Sequence, residues 1–164
     1  MRVWGALHIA DYPRKPRGSP VKLPEGYERR LSLCCAREGC RKRATPPSLR
    51  YLGRRVYLAA VVVLASAMRH GLSARRVAEL RGVIGVSRRT LERWRRWWLE
   101  LFTVTPLWKA LRGQLATPAD LERLPASLLE RYAGEPEEQL VALLRQLSPL
   151  SLPPGPSAVP KHAE

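Results

Sequence analysis

The stretch from Gly71 to Phe102, GLSARRVAELRGVIGVSRRTLERWRRWWLELF, constrains the fold more than any other part of the chain. Leu91, Trp94, Trp98 and Leu101 recur at i, i+3, i+7 and i+10, the spacing that gathers side chains on one face of a helix. Ser87 stands where a hydroxyl can accept from a free amide in the first turn of that helix, which should run to Phe102. Ser73 precedes a shorter helix, Ala74 to Arg81, in the same way, with Val77, Ala78 and Leu80 facing inward. Gly82 and Gly85 supply a turn between the two in which positive φ is cheap. Arg88, Arg89, Arg93, Arg95 and Arg96 all fall off the apolar stripe.

The rest of the chain divides around this core. Pro13, Pro16, Pro20, Pro24, Pro46 and Pro47 forbid a long helix in residues 1–53. There the run Tyr27 to Cys35 reads as one strand with Leu31, Leu33 and Cys35 on a common face. Residues 54–112 should form the helix-turn-helix domain, beginning with an apolar helix over 54–70 that closes at His70 and Gly71. Residues 113–147 read as an acidic, leucine-rich helical pair. Its starts are Thr117-Pro118-Ala119-Asp120 and Gly134-Glu135-Pro136-Glu137-Glu138, and Leu140, Leu143, Leu144 and Leu147 line one face of the second helix. That face either folds back on the core or pairs with a second copy or another protein. Residues 148–164, rich in Pro and Ser, read as a disordered tail. The expected fold is mainly α: a helix-turn-helix core, a small N-terminal β-containing ribbon-like module and a C-terminal helical pair.

Charge follows the same division. The whole chain carries a formal +15. Residues 1–112 hold 25 Lys and Arg against 7 Asp and Glu, a net of +18, whereas residues 113–164 hold 4 against 7, a net of −3. A GC-rich coding sequence would favour Arg over Lys, but it would not stop the excess near Arg112. A basic field of this size attracts phosphate backbones. No segment reaches the length of a membrane span, Val56 to Met68 being the most apolar run, and no membrane partner is expected. The N-terminus has no apolar core followed by a cleavage site, and three cysteines make no disulfide framework, so a cytoplasmic setting is expected.

Cys35 and Cys40, with a Gly-containing turn between them, are spaced like one knuckle of a zinc ribbon and are the candidate metal ligands. Structural zinc takes four ligands, and upstream only His8 is on offer. The expectation divides between a compressed site using His8, Cys34, Cys35 and Cys40, and a ribbon-like fold that packs without metal. Zinc apart, no cofactor is expected.

Together these motifs resemble the DNA-binding proteins of insertion elements, in which a zinc-ribbon-like module precedes a helix-turn-helix as in the N-terminal portion of many transposases. The matching residues are Cys35 and Cys40 with Arg41-Lys42-Arg43, then Gly71-Leu72-Ser73, Arg76-Val77-Ala78 and Gly85-Val86-Ser87-Arg88-Arg89-Thr90-Leu91, within residues 27–102. The resemblance implies double-stranded DNA as partner, for a mobile-element accessory factor or a transcriptional regulator. It does not extend to catalysis. A three-carboxylate transposase needs acids gathered around two metal ions, and here the only aspartates are Asp11 and Asp120. The chain is not expected to be an enzyme.

On this reading Arg88, Arg89 and Arg93 are candidates for base contact, because Arg can read guanine through two hydrogen bonds. Arg75, Arg76, Arg95 and Arg96 are candidates for phosphate contact, which positions without specifying. Ser87 and Thr90 belong to the same set, Thr90 either touching a thymine methyl or closing the helix start. The basic, Pro-stiffened segment Asp11 to Gly18 reads as a minor-groove arm or as a solvated loop. Two other readings remain open: an RNA-binding component of a ribonucleoprotein, disfavoured by the single Phe, and a protein-interaction adaptor using residues 113–147.

Overall fold

Residues 6–52, 57–67 and 73–152 are described in the computed structural model. The readings that fall on His70, Gly71, Leu72 and the tail beyond Leu152 lie outside them. Five short strands come first: β1 (Leu7–Ile9), β2 (Tyr12–Pro13), β3 (Arg29–Arg30), β4 (Leu33–Cys35) and β5 (Arg43–Ala44). Six α-helices follow: α1 (Ala59–Ser66), α2 (Ala74–Ile84), α3 (Arg88–Arg96), α4 (Pro106–Arg112), α5 (Ala126–Leu129) and α6 (Pro136–Leu147).

The expectation of a mainly α protein is corrected. The chain is 46% helical and 12% strand, with two small sheets, and is an α+β mix. One antiparallel sheet has the order β1-β4-β5 and the other pairs β2 with β3. The single strand expected over Tyr27 to Cys35 is broken at Leu31-Ser32, so that β3 and β4 belong to different sheets. The cause lies 21 residues upstream: the Asp11 carboxylate accepts from the Ser32 amide at 3.0 Å, taking the donor that a continuous ladder would use. Ser32 is fully buried, and its carbonyl accepts from Ala10 N–H at 2.8 Å.

Segment Asp11–Gly18 is docked along much of its length. β2 pairs with β3, the Arg14 amide donates to Glu28 O at 2.8 Å, and Arg17 bridges Tyr57. The Arg14 guanidinium stacks over the Tyr51 ring at 5.0 Å. Gly18 has φ 88°, and a Cβ there would stand 3.0 Å from Val61 Cγ1, so the module approaches α1 closely at a position where a side chain would be strained. The helix expected over 54–70 is correspondingly shorter. Leu58 N–H donates to Arg17 O and Ala59 N–H to Arg50 O, which holds Tyr57 and Leu58 extended until α1 begins at Ala59.

α1 is the central helix, with Ala59, Val62, Val63 and Ala65 buried. It packs against α3 on one side and α6 on another. One hydrophobic cluster joins these residues to Val86, Leu91, Trp94, Trp98, Phe102, Trp108, Leu111, Leu128, Leu143 and Leu147. Each fully buried large side chain of this kind contributes about 1.5–3 kcal/mol. The leucine face of α6 therefore folds back onto the core of its own chain. α6 also starts where its sequence indicates, with a reciprocal cap between Glu135 and Glu138 and Pro136 in the first turn.

The start expected at Thr117-Pro118 does not form. Residues 117–125 are a loop in which the Asp120 carboxylate accepts from Glu122 N–H at 3.0 Å and the Asp120 carbonyl accepts from Ser127 Oγ at 2.7 Å. Arg131 caps the carbonyls of Thr117 and Pro118, both at 2.7 Å, and the helix waits until Ala126. Side chain to backbone bonds of this sort compete with helix formation. Past α6, the first residues of the presumed tail form a 3₁₀ turn, Ser148–Ser151, that is anchored rather than loose.

Candidate nucleic-acid interface

The three-residue connection Gly85-Val86-Ser87 fixes how α3 leaves α2. Gly82 lies inside α2, which runs past Arg81 to Ile84, so the turn rests on Gly85 alone. Gly85 adopts φ 65°, and its N–H closes the helix on Arg81 O at 3.0 Å. Val86 is fully buried and pins the turn to the core. The Ser87 hydroxyl accepts from Thr90 N–H at 3.4 Å and lies 3.1 Å from the Thr90 hydroxyl. Ser87 and Thr90 are thus engaged with each other at the helix start, and Thr90 is half-buried. α2 lies over the core through Val77, Leu80 and Ile84, whereas Ala78 is exposed.

Leu91 and Trp94 turn inward, with Tyr57 edge-on to Trp94 at 5.0 Å between ring centres. Beyond Arg96 the helix continues for one widened turn, Trp97–Leu101, in which Phe102 N–H reaches back five residues to Trp97 O. The extra residue in that turn changes the phase. Leu101, expected on the inner stripe, is 56% exposed, and Phe102 is fully buried in its place. Trp98 and Phe102 meet edge-on at 4.9 Å, Phe102 lies 5.3 Å from Trp108, and Trp97, half-buried, packs edge-on to Trp98 at 4.8 Å.

At about 100° per residue, the five arginines of α3 divide into two rows. Arg89, Arg93 and Arg96 recur at i, i+4 and i+7, are exposed, and lie opposite the buried Leu91, Trp94 and Trp98. None of the three has an ion pair or side-chain hydrogen bond among the described residues. Arg88 and Arg95 lie about a third of a turn away, beside Glu92. Arg88 Nε pairs with Glu92 Oε1 at 2.9 Å. Arg95 lines a cleft of about 360 Å³ with Ser66, Glu122, Arg123 and Glu130, facing the C-terminal segment. From the sequence Arg88 falls with Arg89 and Arg93, and Arg96 with Arg95; the structure brings Arg89, Arg93 and Arg96 together. Glu92, four residues after Arg88, was the local signal for that division. On α2, Arg75 is tied to Glu79 at 3.0 Å, and Arg76 is half-buried with its amide on the Ser73 cap.

The cysteine hairpin stands apart from this face. β4 and β5 pair Leu33 with Ala44 and Cys34 with Arg43, and Cys35 N–H donates to Lys42 O at 2.9 Å. In the connecting turn Cys40 N–H donates to Arg37 O at 3.1 Å, with Gly39 at φ 73° and Arg41 at φ 41°. The Lys42 amide and the Cys35 thiol both hydrogen-bond the Cys40 sulfur, which lowers the Cys40 pKa. Cys35 and Cys40 are therefore neighbours. Cys34 is buried, points to the other face of β4 and is paired across the strands with His8. The compressed four-ligand site is not assembled: among the described residues no three His, Cys, Asp or Glu side chains converge. Two sulfurs are half of a structural zinc site, so a closed site within this hairpin does not fit the residues present.

No helix among the described residues is long and apolar enough to cross a membrane. No protein-family model, no curated protein and no solved structure matches the chain.

Proposed function

We propose that this protein binds double-stranded DNA, with α3 presented to the major groove and the N-terminal two thirds of the chain supplying the basic field. The observation that carries this reading is the row Arg89, Arg93 and Arg96. It is exposed and without carboxylate partners among the described residues, on a helix held by a buried aromatic stripe and a capped three-residue turn. A short helix fixed in this way after a Gly-containing turn has the layout of a recognition helix. Arg89 and Arg93 lie nearer its start, where base edges come within reach, and Arg96 meets phosphates. Arg76 at the start of α2 adds a phosphate contact, whereas Arg75, like Arg88, is engaged by a carboxylate one turn further on. Ser87 and Thr90 act by setting the pitch of the first turn, so that selectivity comes through the arginines they orient.

Such a protein works in the cytoplasm as a mobile-element accessory factor or a transcriptional regulator, by binding and without catalysing a reaction. Selection from random duplex DNA at near-physiological salt tests the reading. An enriched motif is the expected result. Retention of structured RNA in preference to any duplex, or no enrichment at all, would overturn it.

A further inference from the structure

We propose that the cavity beside β3, lined by Arg29, Arg30 and Arg50, is a phosphate-binding site separate from the α3 face. Its occupancy is independent of what α3 binds. Arg30 is a buried cation without a carboxylate: the residue is 6% exposed, and no ion pair reaches it among the described residues. Charges that leave water are as a rule paired, because burial strips their hydration. Nη2 of Arg30 donates to the Pro46 carbonyl and lies 3.5 Å from Ser151 Oγ. Nε and Nη1 have no partner among the described residues, yet neither is sealed from solvent.

These donors belong to a residue that lines a cavity of about 510 Å³, within the roughly 300–1,000 Å³ range of small-ligand sites. Arg29, Arg50, Asp11 and Ser48 line it too, so three arginines face one aspartate and the lining carries a formal +2. Asp11 does little to offset this. One of its oxygens accepts from the Ser32 amide at 3.0 Å, and the other stands 4.0 Å from Arg29 Nε, at the limit of an ion pair. Arg50 is held in place by Tyr27, its guanidinium 4.3 Å from the ring centre and its Nη1 donating to Tyr27 O at 2.8 Å. Nε and Nη2 of Arg50 remain for a ligand.

A phosphate group suits this lining in charge and in donor geometry. A monoester brings a charge of about −1.5 to −2 at neutral pH on three strong acceptor oxygens. Guanidinium forks meet such oxygens through paired, charge-assisted N–H···O bonds. Free phosphate esters and the phosphates of a nucleic-acid backbone share this chemistry. Ser48, on the cavity wall, also donates its amide to Ser151 Oγ at 2.8 Å. A bound phosphate therefore steadies the junction between the N-terminal module and the turn after α6.

The test titrates the full chain with inorganic phosphate by calorimetry, at neutral pH and constant ionic strength set with chloride. One phosphate per chain and a raised Tm are expected. Arg29→Ala and Arg50→Ala, both at exposed positions, should each weaken binding about tenfold. Arg30→Lys, which keeps the charge and loses the fork, should also weaken it about tenfold. Arg37→Ala, an exposed arginine on the β4–β5 turn, should leave it unchanged. Duplex binding by the Arg29 and Arg50 variants separates the two sources: a lowered salt slope assigns the site to a backbone phosphate, and a parent-like slope to a free phosphate ester. Phosphate bound no more tightly than chloride, or weakened as much by Arg37→Ala as by the cavity variants, would overturn the assignment.

Discussion

The guanidinium of Arg30 meets the hydroxyl of Ser151, 121 residues further along the chain, with Nη2 at 3.5 Å from Oγ. Arg30 is only 6% exposed, and the same nitrogen donates to the Pro46 carbonyl. Ser151 Oγ in turn donates to Ser148 O at 2.7 Å and accepts from Ser48 N–H at 2.8 Å. This small polar node ties the N-terminal sheet module to the turn that follows α6.

Replacing Ser151 by Ala removes the acceptor from the Ser48 amide and one acceptor from a buried arginine. A buried donor left unpaired costs about 1–3 kcal/mol. Urea unfolding of Ser151→Ala should show that loss with an unchanged slope. Stability within about 0.5 kcal/mol of the parent, as for an ordinary surface change, would contradict the node.

Tyr51 has the opposite character. Its hydroxyl is buried with no partner among the described residues, and burial pushes its pKa up, against the lowering effect of Arg14 and Arg50. Burial also raises Tyr132. A tyrosine in the unfolded chain ionises near pH ~10, whereas these two stay protonated to higher pH in the folded protein. Their contribution is fully present below that pH and is lost as pH rises towards the folded values. Tyr51→Phe should leave stability at pH 7 unchanged or higher, and should make its fall above pH ~10 shallower. A clear loss at neutral pH would mean that the hydroxyl has a partner.

The widened turn after α3 sets a sharp contrast between adjacent residues. Phe102→Ala should cost about 3–5 kcal/mol, the range for a buried aromatic. Leu101→Ala should stay within about 0.5 kcal/mol. Thermal unfolding of the two variants checks this, and the reverse order would restore a regular helix with Leu101 inside.

These contrasts mark where sequence is a sufficient guide. Ser73, Ser87 and Glu135 cap their helices because each cap is decided by residues within one turn. Leu91, Trp94 and Trp98 are buried because periodicity is local. The widened turn escapes such reading, since it depends on how Trp97, Trp98, Phe102 and Trp108 fit together. The break between β3 and β4 escapes it for a similar reason, its cause being Asp11. Thr117-Pro118 has the local form of a helix start, but Arg131 holds its carbonyls in a loop. Ser151 reads as part of a tail until Ser48 and Arg30 are beside it. At the candidate interface the basic residues are legible from the sequence, whereas the separation of Arg89, Arg93 and Arg96 from Arg88 and Arg95 needs the pairing of Arg88 with Glu92 and the cleft that Arg95 lines.

The central claim is that Arg89, Arg93 and Arg96 form the surface that meets DNA. It is tested most directly by the salt dependence of duplex binding, for the parent chain and for variants with these arginines changed to Ala one at a time. Each loss of a phosphate contact lowers the slope of log K against log salt by about 1, and each loss of a good base contact costs about 1–3 kcal/mol. The account predicts that all three variants weaken binding in one of these ways, and that Arg88→Ala, whose side chain is occupied by Glu92, weakens it least. Parent-like affinity and slope in Arg89→Ala, Arg93→Ala and Arg96→Ala would contradict it.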